Sequence, residues 1–199
     1  MIIHTWLADV SALHEEQKYH LCYEKVPEDR KEKADRLRKQ EDKALSVGVW
    51  LLYERMKEEF CVQEPVLYNF SHSGDYALCT IALGNDAQNQ LGCDIEANGR
   101  KRGAIAERYF TAEEQDEDFF RIWVLKESFM KATRMGMKLP INAFSFAFDE
   151  NDRPYLKKQP EQFPKQYYFK EYLVKGLDYK IAVCADCDAF AEEIQIVKL

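Results

Sequence analysis

Two periodicities of apolar residues mark out the elements of this chain. Residues 2–7 (Ile-Ile-His-Thr-Trp-Leu) read as a strand. Residues 12–25 read as a helix, interrupted by Pro27, and residues 28–40 are dense in charge. Leu45, Val49, Leu52, Met56 and Phe60 recur at three- and four-residue steps, which predicts a helix over 42–60. Residues 76–83 and 91–96 read as strands on either side of the polar turn Gly84-Asn85-Asp86. Thr111-Ala112-Glu113-Glu114 is a capping box, so a helix begins there. It leads, with a break in the acidic run 116–118, into a strong helix over 119–134, and strands follow at 144–148, 167–174 and 179–184. No repeat and no low-complexity linker interrupts the pattern. Each half offers a strong helix followed by strands. The expectation is an α+β chain of two similar halves related by a pseudo-twofold, with residues 1–97 as the N-terminal half and 98–199 as the C-terminal half.

Composition narrows the function classes. With 46% hydrophobic and 13% aromatic residues in 199, the chain can bury a sizeable core. A net charge of −7 argues against general nucleic-acid binding. No apolar run approaches the roughly 20 residues that a membrane span needs. The first residues read as a strand rather than a signal peptide. Six irregularly spaced cysteines then suggest reduced thiols and a cytoplasmic location. Cys184 and Cys187 form a lone Cys-x-x-Cys, read as small hydrophobes at a strand end rather than as zinc ligands.

The candidate chemistry begins with carboxylates. In the 91–96 strand, Asp94 and Glu96 share a face, roughly 7 Å apart along the chain, and Leu91, Cys93 and Ile95 share the other. Gly92 leaves space beside Asp94. Two such carboxylates repel unless a cation lies between them; taken alone, an exposed acidic strand face is the favoured reading. In the 119–134 helix, Phe120, Trp123, Glu127 and Met130 fall on one face and Arg121, Leu125, Ser128 and Ala132 on the opposite one. Glu127 thus lies in an apolar stripe, with Lys131 one turn on. A carboxylate there needs a partner. An ion pair with Lys131 or Arg134 is one solution. The other is that Glu127 meets Asp94 and Glu96 around one hard cation, for which an all-carboxylate set suits Mg²⁺ or Mn²⁺.

Residues 30–43 hold seven Lys or Arg against four acids, a basic island in an acidic protein. It is either a solvated helix face or an anchor for a polyanionic ligand. Arg100-Lys101-Arg102 is a second island. Asn69-Phe70-Ser71-His72-Ser73-Gly74 reads as a compact polar turn in which Ser71 and His72 can donate to a phosphate. Nucleophile-elbow, Walker and dinucleotide-loop patterns are absent from the sequence.

Three stretches in order, Phe70-Ser71-His72-Ser73-Gly74, Leu91-Gly92-Cys93-Asp94-Ile95-Glu96 and Trp123-Val124-Leu125-Lys126-Glu127-Ser128-Phe129-Met130-Lys131, resemble the Sfp-type 4′-phosphopantetheinyl transferases over most of the chain. The resemblance implies two similar α+β halves with coenzyme A in the cleft between them. It implies that Asp94, Glu96 and Glu127 hold Mg²⁺ or Mn²⁺ against the coenzyme A pyrophosphate, that Lys126 and Lys131 contact that pyrophosphate, and that Ser71 and His72 lie near the 3′-phosphate. Arg30 and Lys33 match basic positions that approach the nucleotide phosphates, the register being open by one residue, and Ser46 matches a hydroxyl position near the nucleotide. One departure stands out: a Gly-Lys-Pro loop of many relatives is replaced by the connection over 61–68, which contains no lysine.

The implied reaction is attack of a serine of an apo acyl or peptidyl carrier protein on coenzyme A, releasing 3′,5′-ADP. Glu127, directly or through a metal-bound water, is the candidate base, and Lys131 stabilises the leaving group or donates a proton to it. A pseudo-twofold chain is expected to function as a monomer. The rival readings are another Mg²⁺-dependent phosphoryl transferase and a coenzyme A- or carrier-binding module without transfer activity.

Overall fold

A computed structural model of the chain describes residues 1–63, 66–84, 88–99 and 103–199. The Asn85-Asp86 part of the expected turn, the Arg100-Lys101-Arg102 island and Glu64-Pro65 of the lysine-free connection lie outside the described residues. In chain order the elements are β1 (Ile2–Asp9), α1 (Glu16–Tyr23), α2 (Glu28–Asp35), α3 (Gln40–Glu59), β2 (Leu67–Ser73), β3 (Tyr76–Leu83), β4 (Leu91–Ala97), α4 (Gly103–Tyr109), α5 (Ala112–Gln115), α6 (Phe119–Ala132), β5 (Ser145–Phe148), β6 (Pro154–Lys158), β7 (Tyr168–Glu171), β8 (Tyr179–Ala185) and β9 (Gln195–Lys198). The mixed α+β expectation holds.

Three local expectations change. The helix expected over 12–25 is split by Glu15, which is extended (φ −76°, ψ 121°), into a 3-10 turn and α1. The polar stretch expected as a turn at 69–74 is mostly strand β2; only Gly74, at φ +56°, turns the chain. β6 and β9 are short strands with no clear period, and α4 follows the second basic island. The Thr111 capping box forms as expected, with the Thr111 side chain accepting from the Glu114 amide and the Glu114 side chain accepting from the Thr111 amide.

The strands form a four-stranded sheet in the order β2-β3-β1-β9, a three-stranded sheet in the order β4-β8-β7 and the β5–β6 hairpin. Strand pairing crosses residue 97 twice: β4 pairs with β8, and β9 pairs in parallel with β1. Each sheet therefore draws strands from both sides of the division expected at 97.

Alternation along each strand produces a layered core. Trp6, Ala8, Cys79 and Ile81 pack against Leu45, Val49, Leu52 and Met56 of α3. On the other face, Ile3, Leu7, Leu78 and Ala82 pack against Leu91, Cys93, Ile95, Ile181 and Val183 of the second sheet. That sheet's far face, through Ala182 and Cys184, meets Leu125, Phe129 and Ala132 of α6. The layers run α3, four-stranded sheet, three-stranded sheet, α6. Each large apolar side chain so buried contributes about 1.5–3 kcal/mol. Cys184 lies within this core, Cys187 is half-buried and all six cysteines are free thiols. Among the described residues, no helix is long and apolar enough to cross a membrane.

Candidate active site

The layering fixes where the acids point. With Leu91, Cys93 and Ile95 packed toward the first sheet, the alternate residues Gly92, Asp94 and Glu96 face α6. Gly92 allows the close approach. A Cβ there would overlap the carbonyl oxygen of Ser128 and the amide nitrogen of Ala132, so the space beside Asp94 is filled by helix backbone. Gly92→Ala is expected to force α6 outward, destabilising the chain by about 1–3 kcal/mol and separating Lys131 from Asp94. Urea denaturation measures the first effect, and an unchanged midpoint would show that the contact is loose.

The faces of α6 differ from the expected ones. Leu125, Ser128 and Ala132, placed on the face opposite Glu127, are fully buried, as is Met130. The open stripe is instead Trp123, Glu127 and Lys131, each half-buried and four residues apart. The helix is clamped between two apolar layers, so its polar line is narrow. Glu127 lies on that line rather than within an apolar stripe.

Lys131 Nζ donates to Asp94 Oδ1 at 2.7 Å and to the Cys93 carbonyl at 3.0 Å, taking two of its three donors among the described residues. Burial alone would lower the Lys131 pKa, but Asp94, Cys93 and Glu127 outweigh it and raise it. Glu127 is also raised, first by burial and then by the Asp94 and Glu96 carboxylates, with Lys131 opposing. Glu127 therefore senses both of the other expected acids. Asp94 Oδ2 is buried with no hydrogen-bond partner among the described residues. No group of three or more His, Cys, Asp or Glu there stands in a metal-holding arrangement. The orphaned oxygen and the oxygen-only donor set nevertheless fit a hard divalent cation in chemistry.

Beside this cluster lies a pocket of about 320 Å³ lined by Arg30, Lys33, Leu37, Asp42, Ser46, Val49, Phe70 and His72. It gathers four of the expected ligand-side residues. Arg30 is largely buried, with its guanidinium 4.9 Å from the Trp50 ring centroid and 5.6 Å from that of Phe70. Arg30 Nε and Ser46 Oγ are buried without partners among the described residues, as expected of groups that await a ligand. Burial lowers Lys33, and the neighbouring Arg30 lowers it further. Lys31 instead pairs with Glu24 at 3.3 Å, whereas Arg30 and Lys33 line the pocket. The remainder of the island is ordinary surface, as in the Arg36–Glu32 pair.

His72 stands between pocket and acids. Burial, Lys131 and Lys33 lower its pKa, while Asp42 and Asp94 oppose. Asp75 lies 3.6 Å from His14.

Two expected residues are not aimed at the pocket. Ser71 Oγ donates to Asp94 Oδ1 at 2.7 Å and accepts from the Ile95 amide at 3.4 Å, so it faces the acids. Lys126 requires a correction. It is fully buried, 2.9 Å from Glu114 Oε1, and donates to the carbonyls of Ile141 (3.1 Å) and Phe144 (2.8 Å). All three ammonium donors are used inside the core, and none reaches a pyrophosphate. Sequence reading missed Phe70 and Asp42 as pocket walls; the alternation of aromatic and polar residues over 68–73 is the signal for Phe70.

Comparison with known proteins agrees with this geometry. Residues 90–184 match the family model of the 4′-phosphopantetheinyl transferase superfamily. The chain is 32% identical over 141 residues to 4′-phosphopantetheinyl transferase Sfp of Bacillus subtilis (strain 168), across 65% of this chain and 59% of that protein. It is 33% identical over 152 residues to 4′-phosphopantetheinyl transferase gsp of Aneurinibacillus migulanus, across 69% of this chain and 59% of that one. A shorter stretch of 98 residues is 34% identical to the human L-aminoadipate-semialdehyde dehydrogenase-phosphopantetheinyl transferase, across 40% of this chain and 30% of that protein. The matches thus span less than two thirds of these relatives' own length. The stretch from 90 to 184 contains β4 and α6, the two elements that carry Asp94, Glu96, Glu127 and Lys131, so the candidate site lies in the part of the chain that matches the 4′-phosphopantetheinyl transferase superfamily.

Proposed function

We propose that this chain transfers the 4′-phosphopantetheine group of coenzyme A to a serine hydroxyl of an apo acyl or peptidyl carrier protein, releasing 3′,5′-ADP. The observation that carries the reading is the adjacency of two sites of opposite sign: a cationic pocket with orphaned donors at Arg30 and Ser46, and a carboxylate cluster clamped by Lys131, with His72 between them. A ligand with a phosphate at one end and a pyrophosphate further along suits that arrangement. The relatives' names supply the reaction class.

In this reading the 3′-phosphate enters the pocket against Arg30 and Lys33, with Ser46 and His72 as hydrogen-bonding partners. Asp94, Glu96 and Glu127 would hold Mg²⁺ or Mn²⁺, which when bound stabilises charge on the phosphoryl oxygens. Glu127 accepts the serine proton. The serine oxygen bonds to phosphorus as the pyrophosphate P–O bond breaks. Lys131, held by Asp94 and the Cys93 carbonyl, turns its remaining donor toward the departing 3′,5′-ADP oxygen. The chain acts as a monomer in the cytoplasm.

The pocket half of the reading has its own test. Arg30→Ala with Lys33→Ala is expected to weaken coenzyme A binding by calorimetry, more so at low salt. Dephospho-coenzyme A should lose less from the same change. Unchanged affinity would return these residues to a solvated surface. The transfer half is tested by supplying coenzyme A and Mg²⁺ with apo carriers of fatty-acid, polyketide, peptide and siderophore synthesis, read by intact mass. Coenzyme A binding with no carrier modified would favour a binding module.

A further inference from the structure

We propose that β2 is the positioning strand of the acidic site and that Ser73 is a positioning residue that aims Glu96. The inference rests on the reading of Asp94 and Glu96 as holders of a divalent cation. β2 runs alongside β4 with a constant offset of 24 residues: Cys93 N donates to Asn69 Oδ1 (3.0 Å), Ile95 N to Ser71 Oγ (3.4 Å) and Ala97 N to Ser73 Oγ (3.1 Å). In an ordinary ladder these amides would meet backbone carbonyls. Here three side chains on one face of β2 take the carbonyls' place.

Two of the three do more than a carbonyl can. A hydroxyl that accepts from an amide still has a proton to give. Ser71 gives it to Asp94 Oδ1 at 2.7 Å, and Ser73 gives it to Glu96 Oε2 at 3.1 Å. The amide fixes the hydroxyl, and the hydroxyl fixes the carboxylate. At Asp94, Ser71 and Lys131 both hold Oδ1, which leaves Oδ2 bare. Ser73 does the equivalent service one residue pair further along. Asn69 supplies an acceptor to the seam but contacts neither carboxylate through these bonds, so it separates seam integrity from carboxylate aim. Partners that orient metal-holding carboxylates in this way are worth about 10- to 100-fold in metal affinity.

The test is Mn²⁺ binding by the full chain, read as free Mn²⁺ by electron paramagnetic resonance with saturating coenzyme A. Coenzyme A affinity without metal and the denaturation midpoint are measured alongside. Ser73→Ala is expected to weaken Mn²⁺ binding about 10- to 100-fold with coenzyme A affinity unchanged. Ser73→Thr should restore Mn²⁺ binding, and Asn69→Ala should lower the midpoint while leaving Mn²⁺ affinity in place. Wild-type Mn²⁺ affinity in Ser73→Ala, or an equal loss in Asn69→Ala, overturns the proposal while leaving the transfer reading intact. A wild-type chain that binds no Mn²⁺ overturns both. Mn²⁺ binding that follows the predicted series in a chain that modifies no carrier upholds the positioning role and removes the transfer reading alone.

Discussion

Lys126→Met is expected to destabilise the chain by about 3–5 kcal/mol, with coenzyme A affinity of the folded protein preserved. Lys126 and Glu114 are both fully buried and 2.9 Å apart. Glu114 also accepts from the amides of Phe146 and Thr111, each at 2.9 Å, so it ties α5 to β5. Removing the ammonium leaves a buried carboxylate with no opposite charge, which is the expensive way to break such a pair. Replacing both residues, Lys126→Met with Glu114→Gln, should recover part of the loss because no unpaired charge remains. Chemical denaturation of the single and double variants, as a double-mutant cycle, checks this. A Lys126→Met protein of normal stability that fails to bind coenzyme A would restore the pyrophosphate role that the sequence suggested.

Glu127→Gln and Lys131→Met are expected to lower transfer roughly 100- to 10,000-fold each while coenzyme A binding stays measurable. In the proposed reaction each removes one proton-handling group of the acidic cluster. Rates measured at saturating coenzyme A, with affinity measured separately, distinguish this from lost binding. Glu127→Gln carries a second signature. Its folded pKa is raised above the ordinary glutamate value, so wild-type stability falls as pH rises through the window above about 4.3 up to that raised value. In chelator, Glu127→Gln should therefore be the more stable protein at neutral pH, and the difference should vanish below that window. Equal stability at neutral pH would show that neither burial nor the neighbouring carboxylates raise Glu127.

The long apolar elements were legible in the sequence because their burial demands a stripe or a run of apolar residues. The stripe Leu45, Val49, Leu52 and Met56, buried on one face, became α3, and the apolar run 76–83, buried on both faces, became β3 over the same residues. The shared face of Asp94 and Glu96 was legible for the same reason, since Leu91, Cys93 and Ile95 had to face the core. The faces of α6 were not legible. A helix packed on two sides buries most of its circumference, and a single apolar stripe misstates which line stays open. β2 was unreadable as a strand because one of its faces is polar by construction: Asn69, Ser71 and Ser73 bond to β4. Lys126 was misplaced because a motif gives sequence spacing only, and its burial depends on Glu114, twelve residues earlier on another helix.

The most direct measurement of the central claim is the intact mass of an apo carrier protein after incubation with this chain and coenzyme A, with Mg²⁺ or with EDTA, alongside chromatography of the nucleotide. The account predicts one phosphopantetheine added to one serine, with an equal amount of 3′,5′-ADP released, only when the divalent ion is present. Full transfer in EDTA, or nucleotide consumed with no change in carrier mass, would contradict it.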